Sequence, residues 1–216
     1  MKNLYYKNDV CVVGIGCVLP DANNVHEFWN NVLNGHCSIE SIPDDRWKKD
    51  LYFSSDKNEK DKSYSHVGAF VKNNQLETII KKHKLQSIGS NRLHAMTFEA
   101  TTQALECLNS TFLLGSSKNT SVFLGCMEID EALTKEKFFS YNKESLQDYV
   151  EKNNPKSKDQ ILDKIENHFI SSSLSKDDSL IASTLTTSVI DLIKQKFNLQ
   201  GEGALVDAAC ASSLAA

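Results

Sequence analysis

Six cysteines, at positions 11, 17, 37, 107, 126 and 210, are the strongest nucleophiles in this 216-residue chain. No two stand as Cys-x-x-Cys, and none has a histidine at ligand spacing, so a tetrahedral zinc set is not expected. Most of them lie in apolar segments, where a thiol ordinarily serves as a small buried hydrophobe. Cys210 is different. In "GEGALVDAACASSLAA" it sits where a short apolar run gives way to Ala and Ser, the pattern of a strand passing into a helix. A thiol on the first turn of a helix faces unpaired N–H groups and the positive end of the helix dipole, which favours the thiolate, the nucleophilic form. Ala208, Ala209, Ala211, Ser212 and Ser213 leave room for a substrate above the sulfur. Asp207, in the same apolar run, needs a hydrogen-bond partner if it is buried.

A second motif with chemical potential is Gly14-Ile15-Gly16, which follows an apolar run and could begin a dinucleotide fingerprint. Leu19 stands where the third glycine belongs and Pro20 follows. The pair is therefore expected to make a tight structural turn, and no cofactor is expected to bind the chain directly.

Several elements must position these residues. Residues 9–18, "DVCVVGIGCV", predict a buried strand, and "VHEFWNNVLNG" predicts an amphipathic helix. That helix has N-cap candidates in Asp21, Asn23 and Asn24, a stripe of Phe28, Trp29, Val32 and Leu33, and Gly35 at its C-terminal end. Residues 36–68 read as surface loop. Helices are predicted over about 75–84 and 92–109, the second with a buried stripe of Leu93, Met96, Ala100, Ala104 and Leu108. "TSVFLGCM" predicts a second buried strand. Residues 130–177 turn charged and Ser-rich and read as an insertion or flap with one amphipathic helix carrying Ile161, Leu162, Ile165 and Phe169. A further helix carries Leu185, Val189, Leu192, Ile193 and Phe197, with Lys194 and Lys196 near its carbonyl end. Gly201 and Gly203 then punctuate the chain before the run that leads to Cys210.

The composition bounds the possibilities. A hydrophobic fraction of 40% with 24% charged residues is that of a folded globular protein. The 24 basic and 28 acidic residues give a net charge of −4 and are mixed along the chain, so nucleic acid is not an expected partner. The amino terminus has too short an apolar run for a signal peptide, and no run approaches the ~20 residues of a membrane span. A cytoplasmic location is expected, where structural disulfides are rare.

At this point the motifs reach a known pattern. "VDAACASSLAA" closely resembles the nucleophile motif of β-ketoacyl synthases, V-D-[TA]-A-C-[SA]-S-S-L, in the version found in ketosynthases of polyketide and polyunsaturated fatty acid synthases. "VCVVGIGCVLPDANNVHEFWNNVLNGHCSIESIPDDRW" is similar to the opening of the same domain: a strand with G-[IM]-G-C, a Pro, a helix with F-W-x-x-L, then I-P-x-x-R-W. "VGAFV" and "TSVFLG" fall in order between them.

The resemblance implies an α/β chain with the layered α/β/α/β/α thiolase-like fold, of which residues 1–216 would be the N-terminal half, truncated after the nucleophile motif and carrying the charged insertion at about 130–177. It implies that Cys210 is the catalytic residue of an acyltransferase. Cys210 would take an acyl group as a thioester from the phosphopantetheine arm of an acyl carrier protein, for decarboxylative Claisen condensation in polyketide or fatty acid biosynthesis. The backbone N–H of Cys210 would supply one donor of the oxyanion hole. A homodimer is implied for the full-length form. The family's two catalytic histidines, in a His-Gly-Thr-Gly-Thr motif and a later Gly-His motif, belong to its second half, whereas all six histidines here precede Cys210. The chain alone is therefore expected to be inactive in condensation. The alternative is a truncated or degenerate relative without catalysis, with a role in carrier or subunit interaction. Sequence downstream of position 216 separates the two.

Overall fold

The computed structural model describes residues 10–85, 92–108, 117–127, 131–170 and 187–216, with the backbone alone at 131–137 and 168–170. The chain divides into two compact units, Met1–Lys82 with Glu99–Ser110, and His83–Phe98 with Thr111–Ala216. Leu185 of the predicted stripe lies outside the described residues.

In the first unit, residues 10–18 form no strand. Their backbone lies instead against helix α4 (Arg92–Glu106), and this is why both glycines are there. A Cβ at Gly14 would overlap the Ala104 carbonyl and one at Gly16 the Ala100 carbonyl. The pair permits close approach to a helix and makes no tight turn. The segment is fastened where the Cys17 N–H donates to Gln103 Oε1 at 3.2 Å.

Helix α1 (Val25–Leu33) is capped as its sequence predicts. Asn24 Oδ1 accepts the Glu27 N–H at 2.9 Å, and the Glu27 carboxylate reaches back to the N–H of Asn23, the residue before the cap, at 2.7 Å. Gly35 follows with φ +62°, the left-handed position a helix exit favours. The expected core stripe does not bury: Phe28, Trp29, Val32 and Leu33 are all exposed, because no described element covers that face.

Residues 36–68 hold more order than a loop. Strands β1 (Glu40–Ser41) and β2 (Val67–Gly68) pair antiparallel, and a short helix α2 (Lys49–Tyr52) lies between them. Helix α3 (Asn73–His83) buries Leu76 and Ile79. Within α4 the buried positions are His94, Ala95, Phe98 and Glu99, not the predicted apolar stripe, whose members are only half-buried. Polar partners explain this choice of face. Lys82 Nζ sits 2.9 and 3.1 Å from the two Glu99 oxygens, and Gln103 Nε2 donates to Glu99 Oε1 at 3.0 Å. Thus a buried carboxylate is paired and bridged to the segment carrying Cys17.

The second unit is built on strands β3 (Val122–Gly125) and β4 (Gly203–Val206), which pair in parallel with Val122 opposite Gly203 and Gly125 opposite Val206. Parallel neighbours need a long crossover, and here it is helical. Among its described residues the stretch at about 130–177 contains two helices where one is expected: α5 (Glu131–Asn153) and α6 (Lys158–Ile170). They are joined by a 3-10 turn at Pro155–Ser157 and held by Lys143–Glu166 and Lys158–Glu151 ion pairs at 3.2 and 2.7 Å. The apolar residues of α5 are spread around its axis, with Phe139 and Val150 buried and Phe138, Tyr141 and Tyr149 exposed, so no single stripe announces this helix.

Helix α7 (Ser188–Phe197) buries Val189, Ile190 and Ile193. It ends at Asn198 in the left-handed region, where the Leu199 N–H returns to the Lys194 carbonyl at 2.8 Å. It packs closely on β4: a Cβ at Gly203 would stand 2.7 Å from the Ile190 Cγ2. A four-residue helix α8 (Ser212–Ala215) closes the unit.

Candidate active site

β4 delivers the chain to Asp207, and the next six residues form a tight, hydrogen-bonded turn. Cys210 lies in a 3-10 turn, Ala209–Ala211, and the α-helix begins two residues later than the sequence suggests. The thiol is exposed. So are Ala208, Ala209, Ala211 and Ser213, which places the small-residue run at a surface rather than deep in a core. Ser212 alone among them is buried, at 5% exposure.

The backbone of the turn is unusual at one residue. Ala209 has φ +50°, the left-handed region that costs an L-residue with a Cβ roughly 1–2 kcal/mol. Its N–H donates to Asp207 Oδ1 at 3.0 Å, and its carbonyl accepts the Ser212 hydroxyl at 2.7 Å. The same Ser212 oxygen accepts the Ala208 N–H at 3.0 Å. Asp207 is not buried, and its oxygen finds its partner in the turn itself.

Strand β3 supports the turn from the side. Gly125 is its last residue, and a Cβ there would come 2.5 Å from the Ser212 carbonyl oxygen and 2.8 Å from the Ser213 nitrogen. Only a glycine lets β3 approach the start of α8 this closely. The Cys126 N–H then extends the ladder to the Val206 carbonyl at 3.1 Å, holding the end of β4. Gly125, Ala209 and Ser212 escape a motif reading centred on the sulfur. The available signals are a glycine at the end of an apolar strand and a hydroxyl two positions after the cysteine.

The other five thiols are placed elsewhere. Cys11, Cys37 and Cys107 are exposed, and Cys17 and Cys126 half-buried, so the general expectation of buried cysteines does not hold. Residues 10–18 enter no sheet, which leaves Cys11 in solvent. The Cys17 thiol is pushed above its ordinary pKa, first by desolvation and then by the Glu27 carboxylate. No disulfide joins the cysteines, and among the described residues no cluster of His, Cys, Asp or Glu is arranged to hold a metal ion. Among the same residues no helix is long and apolar enough to cross a membrane.

A strand ending in a strained turn that presents a cysteine, with a parallel neighbour strand packed against the following helix, is an arrangement suited to an acyl-accepting nucleophile. The chain belongs to the β-ketoacyl synthase family: the description "Beta-ketoacyl synthase, N-terminal domain" matches residues 7–216. Among curated relatives, the polyketide synthase PksM of Bacillus subtilis is 37% identical over 70 residues, 32% of this chain and 2% of that protein. PksL of the same organism is 38% identical over 64 residues, 30% of this chain and 1% of that protein. Polyketide synthase 37 of Dictyostelium discoideum is 33% identical over 73 residues, 33% of this chain and 2% of that protein. The chain therefore spans only a few hundredths of the length of these relatives. Among solved structures, the oxazolomycin ketosynthase domain OzmH KS7 of Streptomyces albus JA3453 superposes with a TM-score of 0.61 at 18% identity, covering 95% of this chain and 30% of that one. The fold is thus the α/β, thiolase-like fold of the ketosynthases.

Proposed function

We propose that residues 1–216 form a single N-terminal ketosynthase domain of a β-ketoacyl-carrier-protein synthase of the polyketide type, with Cys210 as its acyl acceptor. The observation that carries this reading is the position of Cys210 on the turn after β4 in a chain whose family match runs from residue 7 to residue 216. The Cys210 thiolate attacks the carbonyl of an acyl thioester presented by a phosphopantetheinylated acyl carrier protein. The carrier's thiolate leaves, and the acyl group remains on Sγ. In the second half-reaction a malonyl-type extender loses carbon dioxide. Its enolate carbon then bonds to the acyl carbonyl and expels the Cys210 thiolate. A thiolate suits both roles, as nucleophile and as leaving group. The N–H of Cys210 supports the oxyanion of each tetrahedral intermediate.

The chain itself binds no cofactor in this scheme, since the phosphopantetheine belongs to the carrier. A homodimer suits β4, which among the described residues pairs with β3 alone, since a short apolar strand could pair by its other edge around a two-fold axis. The acyl-acceptor role is tested by incubating the chain with a short acyl-pantetheine thioester and reading the mass of the Cys210 peptide. Acylation at Cys210, abolished in Cys210→Ala, is expected. Acylation confined to another cysteine overturns the assignment.

A further inference from the structure

We infer that Asp207 and Ser212 are positioning residues that act as a pair, clamping Ala209 in its left-handed conformation and so setting the direction in which the Cys210 side chain leaves the turn. The inference rests on the reading of Cys210 as the acyl acceptor but concerns different residues.

An alanine at φ +50° has no side chain that could compensate the cost, unlike Asn or Asp, which hydrogen-bond locally in that region. Something outside the residue must hold it. Both of its polar backbone groups are taken by flanking side chains, the N–H by Asp207 Oδ1 at 3.0 Å and the carbonyl by the Ser212 hydroxyl at 2.7 Å. Ser212 also accepts the Ala208 N–H at 3.0 Å, so one hydroxyl ties the peptide group before Ala208 to the one after Ala209 and brackets the strained residue.

The two clamps differ in setting. Asp207 is exposed, whereas Ser212 is 5% exposed and held by the close approach of Gly125. Ser212 therefore anchors the turn to β3, and Asp207 closes it from the solvent side. Cys210 is the next residue along the chain, and the φ and ψ angles of Ala209 orient the peptide plane from which its Cα–Cβ bond departs. Strain confined to the residue before a nucleophile, and clamped on both sides, is the signature of a side chain that must be aimed.

The test uses the full chain and measures two rates at Cys210 by peptide mass spectrometry: acyl transfer from a short acyl-pantetheine thioester, and alkylation by iodoacetamide. Cys37 and Cys107 in the same sample serve as references. Asp207→Ala and Ser212→Ala are each expected to slow acyl transfer to Cys210 about tenfold, from the loss of a hydrogen bond that holds a strained peptide, while the reference cysteines alkylate unchanged. Asp207→Asn keeps the accepting oxygen and is expected to stay within about twofold of the parent, given how modest one neutral hydrogen bond is. Adding Ala209→Gly to Ser212→Ala is expected to restore most of the rate, since glycine takes positive φ without the Cβ penalty.

Unchanged acyl transfer in both alanine variants overturns the inference. So does an Asn variant as slow as the Ala variant, or a glycine that restores nothing. If Ser212→Ala does not fold, the exposed Asp207 pair of variants decides. If the parent chain shows no acyl transfer to Cys210, the acyl-acceptor reading fails, and the ratio of Cys210 to Cys37 alkylation across the variants still decides the clamp.

Discussion

At the scale of single residues, the chemistry of this chain depends on how six similar thiols are made different. Exposure alone does not separate Cys210 from Cys11, Cys37 and Cys107. Backbone geometry does, because only Cys210 follows a clamped left-handed residue. Cys17 is distinguished in the other direction. Desolvation, with the Glu27 charge second, raises its pKa, so at any pH below that value a smaller fraction is thiolate. We expect Cys17 to alkylate more slowly than Cys210 under substoichiometric iodoacetamide at neutral pH. Glu27→Gln should narrow the gap by removing one of the two causes. Peptide-resolved mass spectrometry checks both, and faster labelling at Cys17 than at Cys210 would count against the assignment of the nucleophile.

At the scale of elements, a single carboxylate ties the loops around α1 to the start of α3. Asp21 accepts from Lys72 Nζ at 2.9 Å and lies 3.1 Å from His36 Nε2, while its carbonyl accepts the Asn31 amide at 2.9 Å. The Lys72 hydrogen bond, with that of His36 second, lowers the Asp21 pKa from 3.8 to about 2. A carboxyl whose folded-state pKa lies below its unfolded value contributes stability that is complete above the unfolded pKa and is lost as pH falls through the folded one. Stability is thus expected to decline between about pH 4 and pH 2 through this group. Asp21→Asn should flatten that part of the acid-unfolding curve followed by circular dichroism. Lys72→Met should do the same by removing the main cause of the shift, and an unchanged acid limb in both variants would refute the assignment.

At the scale of the whole molecule, acyl transfer and condensation make different demands. Accepting an acyl group needs a thiolate and a nearby N–H, both local to the turn after β4. Decarboxylating a malonyl thioester needs donors that polarise its carbonyl and steady the enolate. In the family those are two histidines, in motifs that none of the six histidines here supplies in the required order after the cysteine. Preorganised donors are commonly worth several kcal/mol each, or roughly 100-fold in rate and more. Residues 1–216 taken by themselves are therefore expected to show no carbon dioxide release and no β-ketoacyl product with radiolabelled malonyl-carrier protein. Turnover that disappears in Cys210→Ala would refute this and assign the missing role to a group within the chain.

Much of this protein is legible in local sequence, because caps, strand ends and nucleophile motifs are written in neighbouring residues. Asn24, one of three N-cap candidates, and Gly35 bound α1 as its sequence predicts, and "VFLG" and "GALV" are strands in the order expected. The motif around Cys210 points to the residue that the proposed function uses. What local pattern could not decide is everything that depends on a distant partner. Residues 10–18 have the composition of a strand, yet they lie along α4 because two missing Cβ atoms open a path to its carbonyls. The inward face of α4 is chosen by Lys82 and Ser188, which take up Glu99 and His94, and an apolar count along the helix is blind to such partners. The nucleophile turn follows the same rule. Its sequence offers a cysteine among small residues, but the left-handed Ala209, the two side chains that clamp it and the contact with Gly125 exist only once β3 and β4 have paired across the long helical crossover between them.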